Sequence, residues 1–178
     1  MRFIVTLLFI NLYTLANAQI FTPVGVASKV SFQINNFGSS VDGTFKELKG
    51  TIELDFSNPM QSKFDVTVDA GTVDTGIGMR DKHLRKEDYF DVENHKMIRF
   101  TSTLVKLSSQ SKEGTVTGNL SIKDTTKEIS FPFKYSIQND EIRLTGKFEL
   151  NRREFEVGGS SISLSDDLTV TLDVLAKQ

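Results

Sequence analysis

The segment "GIGMRDKHLRKEDYFDVENH", residues 76–95, gathers the groups of this chain that could do chemistry. It holds both histidines, His83 and His95, among Asp81, Glu87, Asp88, Asp91 and Glu93. Imidazole and carboxylate are zinc ligands, and an imidazole beside a carboxylate can act as an acid–base pair. Spacing argues against a metal. A helical zinc pair places two histidines four residues apart, whereas these are twelve apart. Arg80, Lys82, Arg85, Lys86 and Lys96 would also repel a cation. The expectation is no metal and no cofactor. Nucleophilic catalysis has no better footing: there is no cysteine and no G-x-S-x-G elbow. "VGGSSISL" is serine-rich without an assigned base, and "GIGMRD" lacks the third glycine of a phosphate loop. No catalytic residue is assigned. An enzyme using His83 and Asp81 as acid and base stays as the alternative.

The elements that must position this segment follow from periodicity. Apolar residues recur at every second position, as they do when alternate side chains point to opposite faces of a strand. "KVSFQI", "GTIELDF", "KFDVTVDA", "MIRFTSTLVK", "EISFPFKYSI", "EIRLTGKFEL" and "LTVTLDVL" carry this pattern, and "TFKEL" and "TVTGNLSI" are shorter candidates. Turn signals such as "VDGTF", "SNPMQ", "SKEGT", "IQNDEI" and "VGGSS" separate them. Short connections make antiparallel neighbours, and that many twisted strands in one small domain must close into a barrel or split into a sandwich. Gly43, Gly50, Gly118 and Gly146 fall inside strand patterns and suggest bends or bulges. Pro132, which has no N–H, predicts an edge or an outward bulge. Residues 80–89 alone lack alternation and hold good helix formers. They predict a short helix over one end of the sheet, with Asp81 next to Arg85 and His83 next to Glu87.

At the start of the chain, Arg2, an apolar run from Phe3 to Leu15 and Ala16-Asn17-Ala18 read as a signal peptide over 1–18. The run is shorter than the roughly 20 apolar residues that a spanning helix needs. The expected product is one domain over 19–178, exported to the periplasm or secreted. Losing Arg2 takes the net charge from −2 to −3, which offers no footprint for nucleic acid. Fourteen phenylalanines without a tryptophan are the unusual part of the composition. Such surface either packs a barrel solid or lines a cavity, and periodicity does not choose between them.

The segment "VDTGIGMRDKHLRKEDYFDVENHKMIRFTST" resembles the signature of the YceI-like family of bacterial polyisoprenoid-binding proteins. The matching residues are Asp74, Thr75, Gly76, Arg80, Asp81, His83, Leu84, Arg85, Tyr89, Phe90, Asp91, Ile98, Phe100 and Ser102. "FGSSVDGTFKELKGTIELD", "VTGNLSIKDTTKEISFPF" and "LNRREFEVG" resemble further family segments, so the likeness runs over 28–176. Asp124 and Glu156 stand where the family usually has glycine, and Lys96 replaces a proline. The resemblance implies an all-β fold with a short helix: an antiparallel, lipocalin-like β-barrel of about eight strands enclosing an apolar channel. It implies a binding protein rather than an enzyme, holding a long isoprenoid-type chain such as a polyprenyl or quinone-like lipid. Phe32, Phe56, Phe64, Phe100, Phe131, Phe133, Tyr135 and Phe148 are the expected lining. Arg80, Asp81, His83, Leu84, Arg85, Tyr89, Phe90 and Arg152 are the expected mouth and lid. Arg80, His83, Arg85 and Arg152 would either meet a headgroup or pair with Asp81, Asp91 or Glu154. Expected partners are the lipid, a transient membrane or membrane-protein contact, and a second copy in a homodimer, but no nucleic acid. A packed-core envelope stress protein is the remaining alternative and predicts no continuous channel.

Overall fold

A computed structural model describes residues 18–178. The leader expected over 1–18 lies, but for Ala18, outside the described residues. Ten strands follow in order: β1 (Gln19–Pro23), β2 (Lys29–Asn36), β3 (Ser39–Phe45), β4 (Lys49–Leu54), β5 (Lys63–Asp69), β6 (Met97–Ser108), β7 (Glu113–Ile122), β8 (Thr125–Gln138), β9 (Glu141–Asn151) and β10 (Leu164–Lys177). One helix, α1 (Gly78–Leu84), sits between β5 and β6. All pairings are antiparallel, in the order β1-β4-β5-β6-β7-β8-β9-β10. Pairing of Thr22 with Lys177 and Pro23 with Ala176 joins β1 back to β10. These eight strands make a closed ring, and the β2–β3 hairpin branches from β10 through pairs such as Val170 with Phe32.

β1 has no counterpart among the sequence-predicted strands. Only a few of its residues pair with each neighbour, and it ends at a proline, so alternation could not reveal it. The β8–β9 turn does carry the expected tight hairpin, with Asn139 in the left-handed region at φ 53°. Pro132 is corrected: β8 is an interior strand rather than an edge. It pairs with β7 from Thr125 to Lys134, but its ladder with β9 runs only from Phe133 to Gln138. Pro132 stands where that ladder stops and a missing donor is tolerated. Beyond it, Phe131 stacks on Phe148 of β9, centroids 4.3 Å apart and 14° from parallel.

The strand glycines divide by role. Gly118 faces the bulge between Ser102 and Leu104, and Gly50 adopts φ 121° hard against the Asp65 carbonyl. Gly43 instead makes room. It pairs with Phe32, and a Cβ there would lie 2.2 Å from the Phe32 Cζ. Phe133 covers Gly114 in the same way. Inward phenylalanines thus lie flat against the wall instead of filling the lumen.

On the outer face, Arg99 forks onto Asp65 at 2.9 and 2.6 Å, and Arg143 forks onto Asp173 at 2.7 and 2.5 Å. These hydrogen bonds, with the guanidinium charges behind them, hold both carboxyls below the usual carboxylate value. The folded state keeps them ionised to lower pH than the unfolded chain does. Their stabilisation is therefore complete above about pH 4 and is lost as pH falls through the depressed folded values. The pairs are partly exposed, so the effect is small. Asp65→Asn with Asp173→Asn should lower the urea midpoint at pH 7, and the gap from wild type should shrink as pH falls below about 4. An offset that does not change with pH would show that the pairs are not the cause.

Candidate functional site: a lidded apolar cavity

The barrel interior is packed at one end and open at the other. Phe21, Leu54, Val105, Val116, Ile142 and Ala176 are at most 1% exposed and plug the closed end. Above them lies a cavity of about 390 Å³. Phe32, Phe64, Phe100, Phe131, Phe133 and Phe148 line it, among aliphatic residues such as Ile52, Leu144 and Leu172. The Phe64–Phe133 and Phe100–Phe131 ring centroids are each 5.5 Å apart across the wall.

Two aromatic expectations are corrected. Phe56 and Tyr135 do not line the cavity but meet each other at 5.6 Å, at the closed end beside the plug. The Tyr135 hydroxyl donates to the Ser108 carbonyl at 3.1 Å. Alternation gave the correct inward face for Tyr135. It carries no information on depth along the strand, which is what separates plug from chamber.

The lid is built by residues 75–91. α1 stops at Leu84, shorter than the expected 80–89, so Glu87 falls outside it and the His83–Glu87 spacing places no pair. The Asp81–Arg85 pair is also corrected. Asp81, 7% exposed, accepts from the Thr75 N–H at 2.8 Å and the Thr75 hydroxyl at 2.5 Å. Arg85 donates from Nε to the Gly71 carbonyl and from Nη2 to that of Val73, at 2.7 and 2.8 Å, and does not line the cavity. A carbonyl left without water or partner costs more than an exposed helical ion pair returns, so these local bonds win. Leu84, Tyr89 and Phe90 border the cavity. Phe90 meets Phe45 edge-on at 5.4 Å, and His83 packs against Tyr89 at 4.9 Å. Lys123 clips the lid to the opposite rim, donating to the Glu87 and Glu156 carbonyls at 3.3 and 3.1 Å.

Asp81→Ala should loosen this lid at a cost of about 1–3 kcal/mol, since it strands the Thr75 N–H. Hydrogen exchange over residues 71–91 reads it: protection should fall there while β6–β9 stay protected. Unchanged exchange in the lid would remove Asp81 from this role.

Arg152 is a further correction. It borders the cavity but pairs with none of Asp81, Asp91 or Glu154. At 4% exposure it donates to the carbonyls of Ser165, Val157, Gly159 and Leu164 and to the Asp166 carboxylate at 2.8 Å. All five donors of the guanidinium are used. His95 sits between Asp91, at 3.6 Å, and the exposed Asp124, at 3.5 Å. Glu156, where a glycine was expected, holds the left-handed φ of 56° that a glycine would adopt without strain. Among the described residues, no cluster of three or more His, Cys, Asp or Glu could hold a metal. Among the described residues, no carboxylate is bonded to His83, and Asp81 is taken up by Thr75. The acid–base pair is therefore not assembled. Asn36 Oδ1, missed by sequence reasoning, is buried in the cavity wall without a hydrogen-bond partner among the described residues. A donor on a bound molecule would relieve a cost of about 1–3 kcal/mol there.

A closed antiparallel ring, an apolar chamber open toward one end and a polar lid define a cavity barrel of the lipocalin-like kind. The chain belongs to the YceI-like domain family, whose sequence model matches residues 22–176. It is 36% identical over 154 residues to the UPF0312 protein plu2095 of Photorhabdus laumondii, covering 85% of this chain and 74% of that one. It is 38% identical over 113 residues to protein YceI of Salmonella arizonae, covering 63% of this chain and 58% of the relative. Among solved structures, BcnA of Burkholderia cenocepacia superposes with a TM-score of 0.79 at 21% identity, over 85% of this chain and 98% of that one. A polyisoprenoid-binding domain from Saccharophagus degradans superposes with a TM-score of 0.71 at 12% identity, over 88% and 97%. At those identities the two structures speak for the fold.

Proposed function

We propose that this chain is an exported binding protein that holds a long isoprenoid-type chain, polyprenyl or quinone-like, for transport, storage or sequestration. The observation that carries the proposal is the cavity of about 390 Å³ walled by nine phenylalanines. Its size falls in the range of roughly 300–1,000 Å³ usual for small-molecule sites. Burial of apolar chain contributes about 0.8 kcal/mol per CH₂, so a few isoprene units supply several kcal/mol without a polar contact. The polyisoprenoid-binding structural neighbour supports the same ligand class. Phe32, Phe64, Phe100, Phe131, Phe133 and Phe148 form the chain-binding wall. Leu84, Tyr89 and Phe90 are the lid that ligand entry must displace. A cargo insoluble in water requires a transient contact with a membrane or membrane protein on loading and release. The short apolar leader of residues 1–18 supports export.

The test is organic extraction of the natively purified protein followed by mass spectrometry. A stoichiometric prenyl lipid is the expected result. Protein that carries no long-chain lipid, and takes none up when offered prenyl alcohols or prenyl acids, overturns the reading.

A further inference from the structure

Two arginines border the cavity, and their hydrogen bonding separates them. Arg152 has no donor left. Arg80 gives Nε to the Thr75 hydroxyl at 2.7 Å and one Nη2 hydrogen to the Thr75 carbonyl at 2.8 Å. A guanidinium has five N–H donors, so three remain. Among the described residues, no carboxylate lies within ion-pair distance of Arg80, although Arg99, Arg143, Arg152 and Arg153 each have one. Its nearest sequence neighbour, Asp81, is occupied by Thr75, and Asp74 pairs with Lys46 at 3.1 Å.

The same contacts fix its aim. The buried Asp81 carboxylate holds the Thr75 N–H and hydroxyl, and Thr75 in turn holds the guanidinium on two points. Arg80 is thus a pre-oriented, half-buried cation facing an apolar chamber with its charge unmatched. Such a cation pays for its desolvation only when an anion meets it. A planar fork with free donors suits the paired oxygens of a carboxylate or phosphate.

We propose that the preferred ligand is an acidic amphiphile, whose carboxylate or phosphate head docks on Arg80 while its chain fills the cavity. This rests on the lipid-binding reading above and adds to it the class of head. Thr75 and Asp81 act as positioning residues for Arg80.

The experiment offers delipidated protein three probes with the same C20 chain: geranylgeraniol, geranylgeranoic acid and geranylgeranyl monophosphate. Inorganic phosphate is the head without the chain. Calorimetry or native mass spectrometry reads each affinity. The wild type should bind the acid or the phosphate at least tenfold more tightly than the alcohol, and the comparison of the two acidic probes tells which head is read. Added salt should erode that preference and leave alcohol binding alone. Arg80→Gln should bring all three probes within twofold of one another, with alcohol affinity retained. Thr75→Val keeps the charge but frees its aim, and should reduce the preference by a smaller factor. Equal wild-type affinity for alcohol and acid overturns the acidic-head proposal while leaving lipid binding standing. So does an Arg80→Gln variant that keeps the preference, or inorganic phosphate binding as tightly as the prenyl phosphate. Failure of all three chains to bind overturns the lipid reading itself.

Discussion

Replacing Arg152 with methionine is expected to lower the free energy of unfolding by about 3–5 kcal/mol, the range for breaking a buried charged network. The side chain is 4% exposed and knits together four carbonyls from residues 157–165. Val157 and Gly159 lie outside any strand, and Ser165 falls in the break of register that follows the Leu164–Asn36 pair at the start of β10, so Arg152 stands in there for a ladder. Asp166, 48% exposed, can turn to water when the arginine is lost. The carbonyls near Arg152 cannot all do so, and each orphan costs about 1–3 kcal/mol. Water entry offsets part of their sum. Arg152→Lys should recover less than half, because an ammonium has three donors at one point where the guanidinium has five in a fork. Urea unfolding followed by circular dichroism measures this, the chain having no tryptophan. An Arg152→Met midpoint within about 1 kcal/mol of wild type would show that the cradle is not structural.

Gly43→Ala should cost the protein its ligand and not its fold. The new Cβ would lie 2.2 Å from Cζ and 2.5 Å from Cε1 of Phe32, well inside contact distance. The obstacle is the far end of a side chain rather than backbone, so the ring can swing away. The open space available to it is the cavity that it already borders. A phenyl ring turned into about 390 Å³ removes a large share of the room for a lipid chain. Prenyl-lipid affinity should fall at least tenfold, with stability within about 1 kcal/mol of wild type because the ring stays in apolar surroundings. Adding Phe32→Ala should restore binding, and the cycle isolates the coupling between the two positions. Gly43→Ala with wild-type affinity would show that Phe32 is not held against the wall by the glycine. Gly50 is the contrast: its Cβ would meet the Asp65 carbonyl oxygen at 2.0 Å, and φ there is 121°. Backbone cannot rotate out of the way, so no comparable separation of binding from folding is available at that position.

The sequence by itself determined which residues face inward. Alternation placed Phe32, Phe64, Phe100, Phe131, Phe133 and Phe148 on one side of their strands, because side chains on a strand have a period of two whatever the neighbours do. It also marked 80–89 as the one stretch unable to be a strand. The resemblance carried by residues 74–102 supplied the barrel and its cavity, which spacing alone left open. Tertiary structure decided the rest. Ring closure by β1 depends on partial pairings with β4 and β10, which no local pattern reports. Depth along the barrel divided Tyr135 and Phe56 from the cavity wall, and depth is a property of register between strands. The polar assignments changed most. Asp81 went to Thr75, Arg85 to carbonyls and Arg152 to its own cradle, leaving Arg80 as the cation with donors to spare. Helical spacing proposes partners among side chains. The fold instead satisfies buried backbone groups first, since an unpaired carbonyl is expensive and an exposed ion pair is nearly worthless.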